Sequence, residues 1–233
     1  MSLSQSSNAR NLSAQILNLE ERLIRQTYDF GHRMRRSPGS LGSYLTSLPQ
    51  SALEGLIQNL SKMVDILDTC VEENVDPFDD REFFRLSMRE MKLSYPADFL
   101  KRIKSEDIIE AYDMNRHQIF RNMRFMEASS YSLTEMLSQE WPTLFERSSQ
   151  ITALIIKATE QDMWSANTII DSNIPKHFIR ELLSREPQVC EIQHKFFAPL
   201  FSGPNQPAGI LSVCQGRVLS QLADVHIDNL TFI

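Results

Sequence analysis

Cys190 and His194 stand four residues apart in Val-Cys-Glu-Ile-Gln-His-Lys-Phe-Phe, a run in which apolar and polar residues alternate. On a strand, that alternation puts Cys190, Ile192, His194 and Phe196 on one face and Glu191, Gln193 and Lys195 on the other. A thiol and an imidazole supply two metal ligands, whereas a structural zinc site takes four. The other two cysteines, Cys70 and Cys214, lie far from this pair in sequence, and there is no Cys-x-x-Cys pair or His/Cys cluster of zinc spacing. No metal site is expected. An imidazole on the inner face of a sheet can bind a haem iron or hydrogen-bond a small ligand. It can equally be a core side chain bonded to backbone. The residues alone leave both open, and they name no cofactor.

Other constellations are absent from the chain. It has no Gly-x-Ser-x-Gly, no phosphate-binding loop motif and no His-Glu-x-x-His. Seven glycines leave little of the backbone freedom that phosphate cradles use. With no catalytic constellation the expectation is a protein that is not an enzyme; the scattered acidic residues could still pair on folding, which keeps an enzyme of unrecognised type as a third alternative. His32, in Gly-His-Arg-Met-Arg-Arg-Ser-Pro, faintly resembles the phospho-acceptor helix of histidine kinases. The acidic neighbour is missing and no nucleotide-binding region follows, so His32 is read as a surface residue.

Composition narrows the partners. The 233 residues are 42% hydrophobic and 23% charged, the balance of a globular protein able to bury a core without staples. A formal net charge of −6 argues against nucleic acid, since phosphate contacts need a basic surface. The longest apolar run, Ile-Thr-Ala-Leu-Ile-Ile-Lys-Ala, is too short to span a bilayer. The first residues lack a basic stretch followed by an apolar one, and the cysteines are odd in number; both fit a cytoplasmic protein.

The first half reads as helix. Leu12, Ile16, Leu19 and Leu23, then Phe30 and Met34, form a narrow seam that ends at Ser-Pro-Gly-Ser-Leu-Gly. Leu53, Leu56, Leu60, Met63, Leu67 and Val71 form a second, with Ser51 as N-cap and Glu54 as its box partner. Seams this long must be buried against each other, the rest of the chain or a second subunit. The expectation is a homodimer built on Leu12, Ile16, Leu19, Leu23, Leu53, Leu56, Leu60 and Leu67. Asp79 or Asp80 caps a third helix over residues 81–91, and a short fourth follows at Pro-Ala-Asp-Phe-Leu-Lys-Arg.

The second half changes character. Asp107–Asp113 and His117–Asn122 read as a hairpin, with Asn115 as the left-handed turn residue. Ser132 or Ser130 caps a helical turn over residues 133–137. Helices are expected over residues 149–161 and from Pro175, which suits a first helical turn. Three strands close the chain, around residues 189–197, 210–220 and 225–233, the first two joined by Ser-Gly-Pro-Asn-Gln-Pro-Ala-Gly.

Two strands, several helices and three strands is an order similar to that of the PAS fold. The local residues resemble it too. Asp113-Met-Asn-Arg116 stands at the hairpin turn, Asn122 ends the second strand, Phe125 follows, and Ser130-Tyr-Ser-Leu-Thr-Glu-Met136 resembles the family's Gly-Tyr-Ser-x-x-Glu-Leu segment. Ser130 and Arg116 replace glycines, and the stretch around 151–170 reads as an insertion, so the branch is divergent. Asn-Met-Arg-Phe-Met, residues 122–126, resembles the photoactive motif of flavin-binding light sensors. Met123 occupies the reactive cysteine's place, so no thiol adduct can form there.

The resulting expectation is an α+β chain. Helical residues 1–98 would form the dimerisation region. Residues 99–233 would form a PAS-like five-stranded antiparallel sheet with helices on one face. The resemblance implies a signalling or regulatory protein that takes a small-molecule ligand or a protein partner, or a ligand-free interaction module. The expected pocket lies between the sheet and the helices around Tyr131–Trp141. His194, Ile192, Phe196, Phe120, Tyr131 and Trp141 are its candidate lining, with Met123, Phe125, Met126 and Met136 able to add an adaptable apolar wall.

Overall fold

The computed structural model describes residues 3–37, 41–139, 141–160, 168–182 and 187–219. Its first layer is helical: α1 (Leu3–Asp29), α2 (Leu41–Leu45) and α3 (Gln50–Glu73). The two seams meet each other. Ile16 and Leu23 of α1 and Leu53, Leu56, Leu60 and Leu67 of α3 are buried within the single chain, with Leu12 and Leu19 half-buried beside them. At the edge of the seam Asp68 accepts from Arg22 and Gln26, both at 2.5 Å. Asn74 closes α3 in the left-handed conformation (φ 54°), its N–H turned back on the Cys70 and Val71 carbonyls. The start of α3 differs from expectation. Pro49 is the N-cap, and the Glu54 carboxylate that Ser51 would have shared accepts instead from Gln50 at 2.7 Å.

α4 (Asp80–Glu90) begins as the sequence indicates, with the Asp79 carboxylate accepting from the Arg81 and Glu82 amides. α5 (Phe99–Arg102) is a single turn. Seven strands follow: β1 (Ile108–Asp113), β2 (Gln118–Arg121), β3 (Phe145–Glu146), β4 (Ile170–Asp171), β5 (His177–Glu181), β6 (Val189–Gly203) and β7 (Gln206–Val218). Between β2 and β5 lie α6 (Met123–Ala128), α7 (Leu133–Leu137), α8 (Trp141–Leu144) and α9 (Ser149–Glu160). Every pairing is antiparallel, in the order β2-β1-β7-β6-β5-β3, with β4 also on β6.

Several expectations are corrected. The sheet has seven strands among the described residues, not five, because the fifteen-residue β6 reaches past β5 and pairs the two-residue β4 as well. The segment after Pro175 is the strand β5, not a helix: His177–Arg180 pair residue for residue with Val189–Ile192. Most of the stretch expected to link the last strands is itself strand. The turn narrows to Pro204-Asn205, with Asn205 at φ 56°. At the first hairpin the left-handed residue is Arg116 (φ 67°), not Asn115. The Asp113 carboxylate fixes that turn by accepting from the Asn115 and His117 amides. The strand expected over residues 225–233 lies outside the described residues.

Helices cover both faces of the sheet, not one. Phe120, Phe196, Ala198, Leu211 and Val213 belong to the same apolar cluster as Leu60, Phe83, Phe84 and Phe99. Phe84 meets Phe120 edge-on at 5.5 Å, and Phe99 meets Phe196 at 5.7 Å. Ser94 and Phe201 exchange two backbone hydrogen bonds. The boundary expected near residue 98 therefore falls inside one continuous core. α6, α7, α8 and α9 follow the first hairpin, and Phe125, Phe145 and Ile155 from this part of the chain wall a cavity against the sheet's second face. No helix among the described residues is long and apolar enough to cross a membrane.

Leu67→Ala is expected to cost about 2–5 kcal/mol of stability in urea unfolding, because the side chain fills a dry seam inside the chain. A fragment beginning at Ala97 would bare Phe120, Phe196 and Leu211. It is expected to bind an apolar dye and lose its cooperative melt, whereas a melt matching the full chain would show that the sheet stands without its helical layer.

Candidate functional site

Two β-bulges decide which side chains reach the second face. In the first hairpin Glu110 pairs with Arg121, Ala111 with Phe120 and Tyr112 with Gln118, which leaves Ile119 as the extra residue. Glu110, Tyr112, Gln118 and Arg121 therefore share a face, while Phe120 points into the helical core. On β6, His194 pairs with Cys214, Phe196 with Val213 and Phe197 with Ser212, so Lys195 is the extra residue. His194 and Phe197 thus share the second face, and Phe196 leaves it.

That face encloses a cavity of about 80 Å³, walled by Phe125, Phe145, Arg147 and the α9 residues Ile155, Ile156 and Thr159 opposite the sheet. Its floor carries a buried ion pair. Arg121 donates to Glu110 and packs its guanidinium on the Phe125 ring, 3.5 Å from the centroid. It also contacts the Met136 sulfur at 2.8 Å, and Gln118, once its amide is turned so that both ends are satisfied, accepts from its Nε and Nη2 at 2.9 Å. Taking such a pair out of water is costly, so it persists only with its hydrogen bonds filled. Burial, and next the Glu110 charge, raise the Tyr112 phenol and the Cys214 thiol, so both stay protonated at neutral pH. Burial also lowers the Arg147 guanidinium below its usual range.

Two histidines stack at one end of the cavity, ring centroids 5.5 Å apart and planes 14° from parallel. His194 also stacks on Phe197 and has its Nδ1 3.3 Å from the Ser212 hydroxyl. His177 Nδ1–H donates to the Pro175 carbonyl at 3.0 Å. Burial first, and the nearby positive charge of Arg147 as well, push His177 down to about 4. Burial, His177 and Arg147 push His194 down to about 3. Both rings are neutral at pH 7.

The expected lining residues divide. His194 and Ile192 line the cavity, as does Phe125. Phe196 and Phe120 do not, because each bulge shifts the alternation by one residue and sends them to the opposite face. Tyr131 stands behind the wall: its hydroxyl donates to the Leu144 carbonyl at 2.6 Å and its ring packs edge-on against Phe145 at 5.6 Å. The side chain of Trp141 lies outside what the structure describes. Sequence reading missed His177, because its segment resembled a helix. It also missed Glu110, Tyr112 and Arg121, which it placed in the first hairpin without assigning them to a face. The residues of β5 carry no period-two signal, because His177, Ile179 and Glu181 on one face and Phe178 and Arg180 on the other each mix apolar with polar, so the strand shows only in its pairing with β6.

The residues that carried the family resemblance hold the frame of this site. Asn122 accepts from the Ile109 amide and donates to the Asp107 carbonyl and the Asp80 carboxylate, tying β1, β2 and α4 together. Ser132 and Glu135 form a reciprocal capping box on α7. Among the described residues no group of three or more His, Cys, Asp or Glu side chains is placed to hold a metal ion.

No protein-family model matches the chain, and no curated protein matches it. Among solved structures it is similar to the PAS domain of a protein from Colwellia psychrerythraea, with a TM-score of 0.34 and 17% identity, over 49% of this chain and 87% of that one.

The depressed histidines set a pH dependence. Unfolded, both titrate near 6.5; folded, near 4 and 3. Between those values the unfolded chain binds more protons, so stability is lost as pH falls from about 6.5 toward 4. Glu20, raised chiefly by burial, acts in the opposite sense, so variants are needed to isolate the histidines. His177→Phe and His194→Phe are each expected to flatten the fall in urea midpoint between pH 7 and 5. Arg121→Met leaves Glu110 buried without its cation and is expected to cost about 3–5 kcal/mol at pH 7.

Proposed function

We propose that this chain is a non-catalytic regulatory module of PAS-like architecture whose cavity takes up a small molecule. The observation that carries the reading is the polar equipment of a largely apolar cavity. A buried ion pair, two neutral imidazoles and Ser212 line the same space as Phe125, Ile179, Ile192 and Phe197. A face meant only for packing gains nothing from that, since buried charge and unbonded imidazole nitrogens both cost stability. A small set of fixed polar groups in an apolar wall is instead how ligand sites set orientation.

The floor of the cavity also touches the helical layer. Arg121 contacts Met136 of α7. The cap of α7, Ser132, lies 2.7 Å from the Ser37 hydroxyl, and Ser37 in turn donates to the buried Glu20 of α1. A ligand that moves Arg121 would act on a helix joined directly to the N-terminal layer, which suits output through association of that layer with a protein partner or a second copy. Coupling of this kind requires that the ligand bind one arrangement better than another.

A second reading is a ligand-free interaction module, favoured by the small volume of the cavity, about 80 Å³. Native mass spectrometry and an absorption spectrum of the protein as isolated distinguish the two. The proposed function expects extra mass that is released on unfolding. Ile192→Trp, which fills the cavity, is expected to abolish that mass while the protein keeps a cooperative melt. A bare polypeptide mass, with a melting temperature that no small-molecule panel raises, would favour the ligand-free module.

A further inference from the structure

Resting on the ligand-binding reading above, we infer that the cavity selects a compact, neutral molecule that donates a hydrogen bond, through an N–H or O–H, to Nε2 of His177. The starting point is the tautomer. A carbonyl oxygen only accepts, so the bond to Pro175 requires the proton on Nδ1 of His177. Nε2 of the neutral ring then carries a lone pair. That nitrogen is buried and has no hydrogen-bond partner among the described residues, in a side chain only 2% exposed that lines the cavity. A buried acceptor left without a donor is a cost that native proteins rarely carry.

The surroundings narrow the donor. β5 and β6 place Ile179 and Ile192 around the ring, with His194 stacked on it. Ordered water needs two to four polar partners, and Ile179 and Ile192, the side chains that the strands set beside His177, supply none. A carboxylate brings only lone pairs and would face the lone pair of Nε2. An ammonium group or a metal ion would meet the positive field of Arg147, which already disfavours charge on both imidazoles. A neutral O–H or N–H on an apolar body satisfies the nitrogen and the walls together. The space, about 80 Å³, is roughly half that of an apolar cavity known to take up benzene. It therefore suits a five-membered azole or a short branched alcohol.

The test separates occupancy from selection. Methyl-labelled full-length protein is titrated with xenon, then with pyrazole, a neutral N–H donor, and isoxazole, its near-isostere without a donor. Xenon should shift the Ile155, Ile179 and Ile192 methyl signals. Pyrazole should bind about tenfold or more tightly than isoxazole, the penalty for leaving one buried acceptor unpaired. His177→Phe should erase the difference between the azoles, and His177→Gln, which keeps a carbonyl acceptor, should restore part of it. Equal affinities for the two azoles, or binding of neither, with xenon still shifting the methyls, would overturn the role of His177 and leave the cavity as a binding space. Absence of any xenon shift would overturn the cavity reading and this inference with it.

Discussion

Both faces of the sheet depend on the bulge at Lys195. β6 is long enough to cross the whole molecule, and it meets two environments of opposite character: the aromatic underside of the helical layer and the polar cavity. A regular strand would keep one parity throughout. It would then place Phe196 beside His194 and drive Phe197 toward Phe99. One extra residue between His194 and Phe196 reverses the parity at the middle of the strand. The bulged residue is itself anchored, since the Lys195 ammonium lies 2.5 Å from Asp107, a fully buried carboxylate just before β1 that also accepts from the Lys104 amide and from Gln215. An ion pair so placed fixes the position of the bulge, because sliding it by one residue would strand Asp107 without its cation.

With parity fixed, the chain can bury incompatible residues on the two sides of a single sheet. The helical side carries the main apolar core and supplies most of the hydrophobic stabilisation, through Phe83, Phe84 and Phe99 against Phe120 and Phe196. The cavity side spends part of that gain. Glu110 and Arg121 are removed from water, and His177 and His194 are held neutral well below their free titration range. A protein of this size has only a narrow stability margin. Such groups persist where a large core elsewhere offsets them, and here the offset lies on the opposite face of the same strands.

This division explains what could be read from the sequence. Seam helices, the first hairpin and the side-chain caps of α4 and α7 were legible because each is specified within a few residues, by periodicity or by a side chain reaching nearby backbone. The bulges were not. Nothing in Gln-His-Lys-Phe-Phe announces an extra residue, because its cause is Asp107, distant in sequence. His177 was hidden for a similar reason: Pro-Lys-His-Phe-Ile-Arg-Glu-Leu-Leu has the composition of a helix, and only pairing with β6 makes it a strand. His194 and Ile192 were found because they precede the bulge; Phe196 was misplaced because it follows it. The N-terminal leucines read as needing a partner, and α1 and α3 supply one within the chain.

The walls of the cavity are unequal in strength, and this bears on what it can admit. Its floor is continuous with strands that are also gripped from the helical side. Its outer wall, α9, is held by a separate small cluster of Ile151, Ile155, Ile174 and Phe197, with Ala158, Ile170 and Ile210 packed around it. Displacing α9 exposes those few side chains and leaves the main core untouched, whereas moving the floor would breach the main core. Local opening follows the path that uncovers the least apolar area. The volume of about 80 Å³ thus describes the state with α9 seated. A molecule of a few heavy atoms fits beneath it, and a larger one would have to lift α9 from Phe197. Phe197 is also the ring stacked on His194, so the side chain that seats the outer wall is in direct contact with the imidazole pair at the polar end of the cavity.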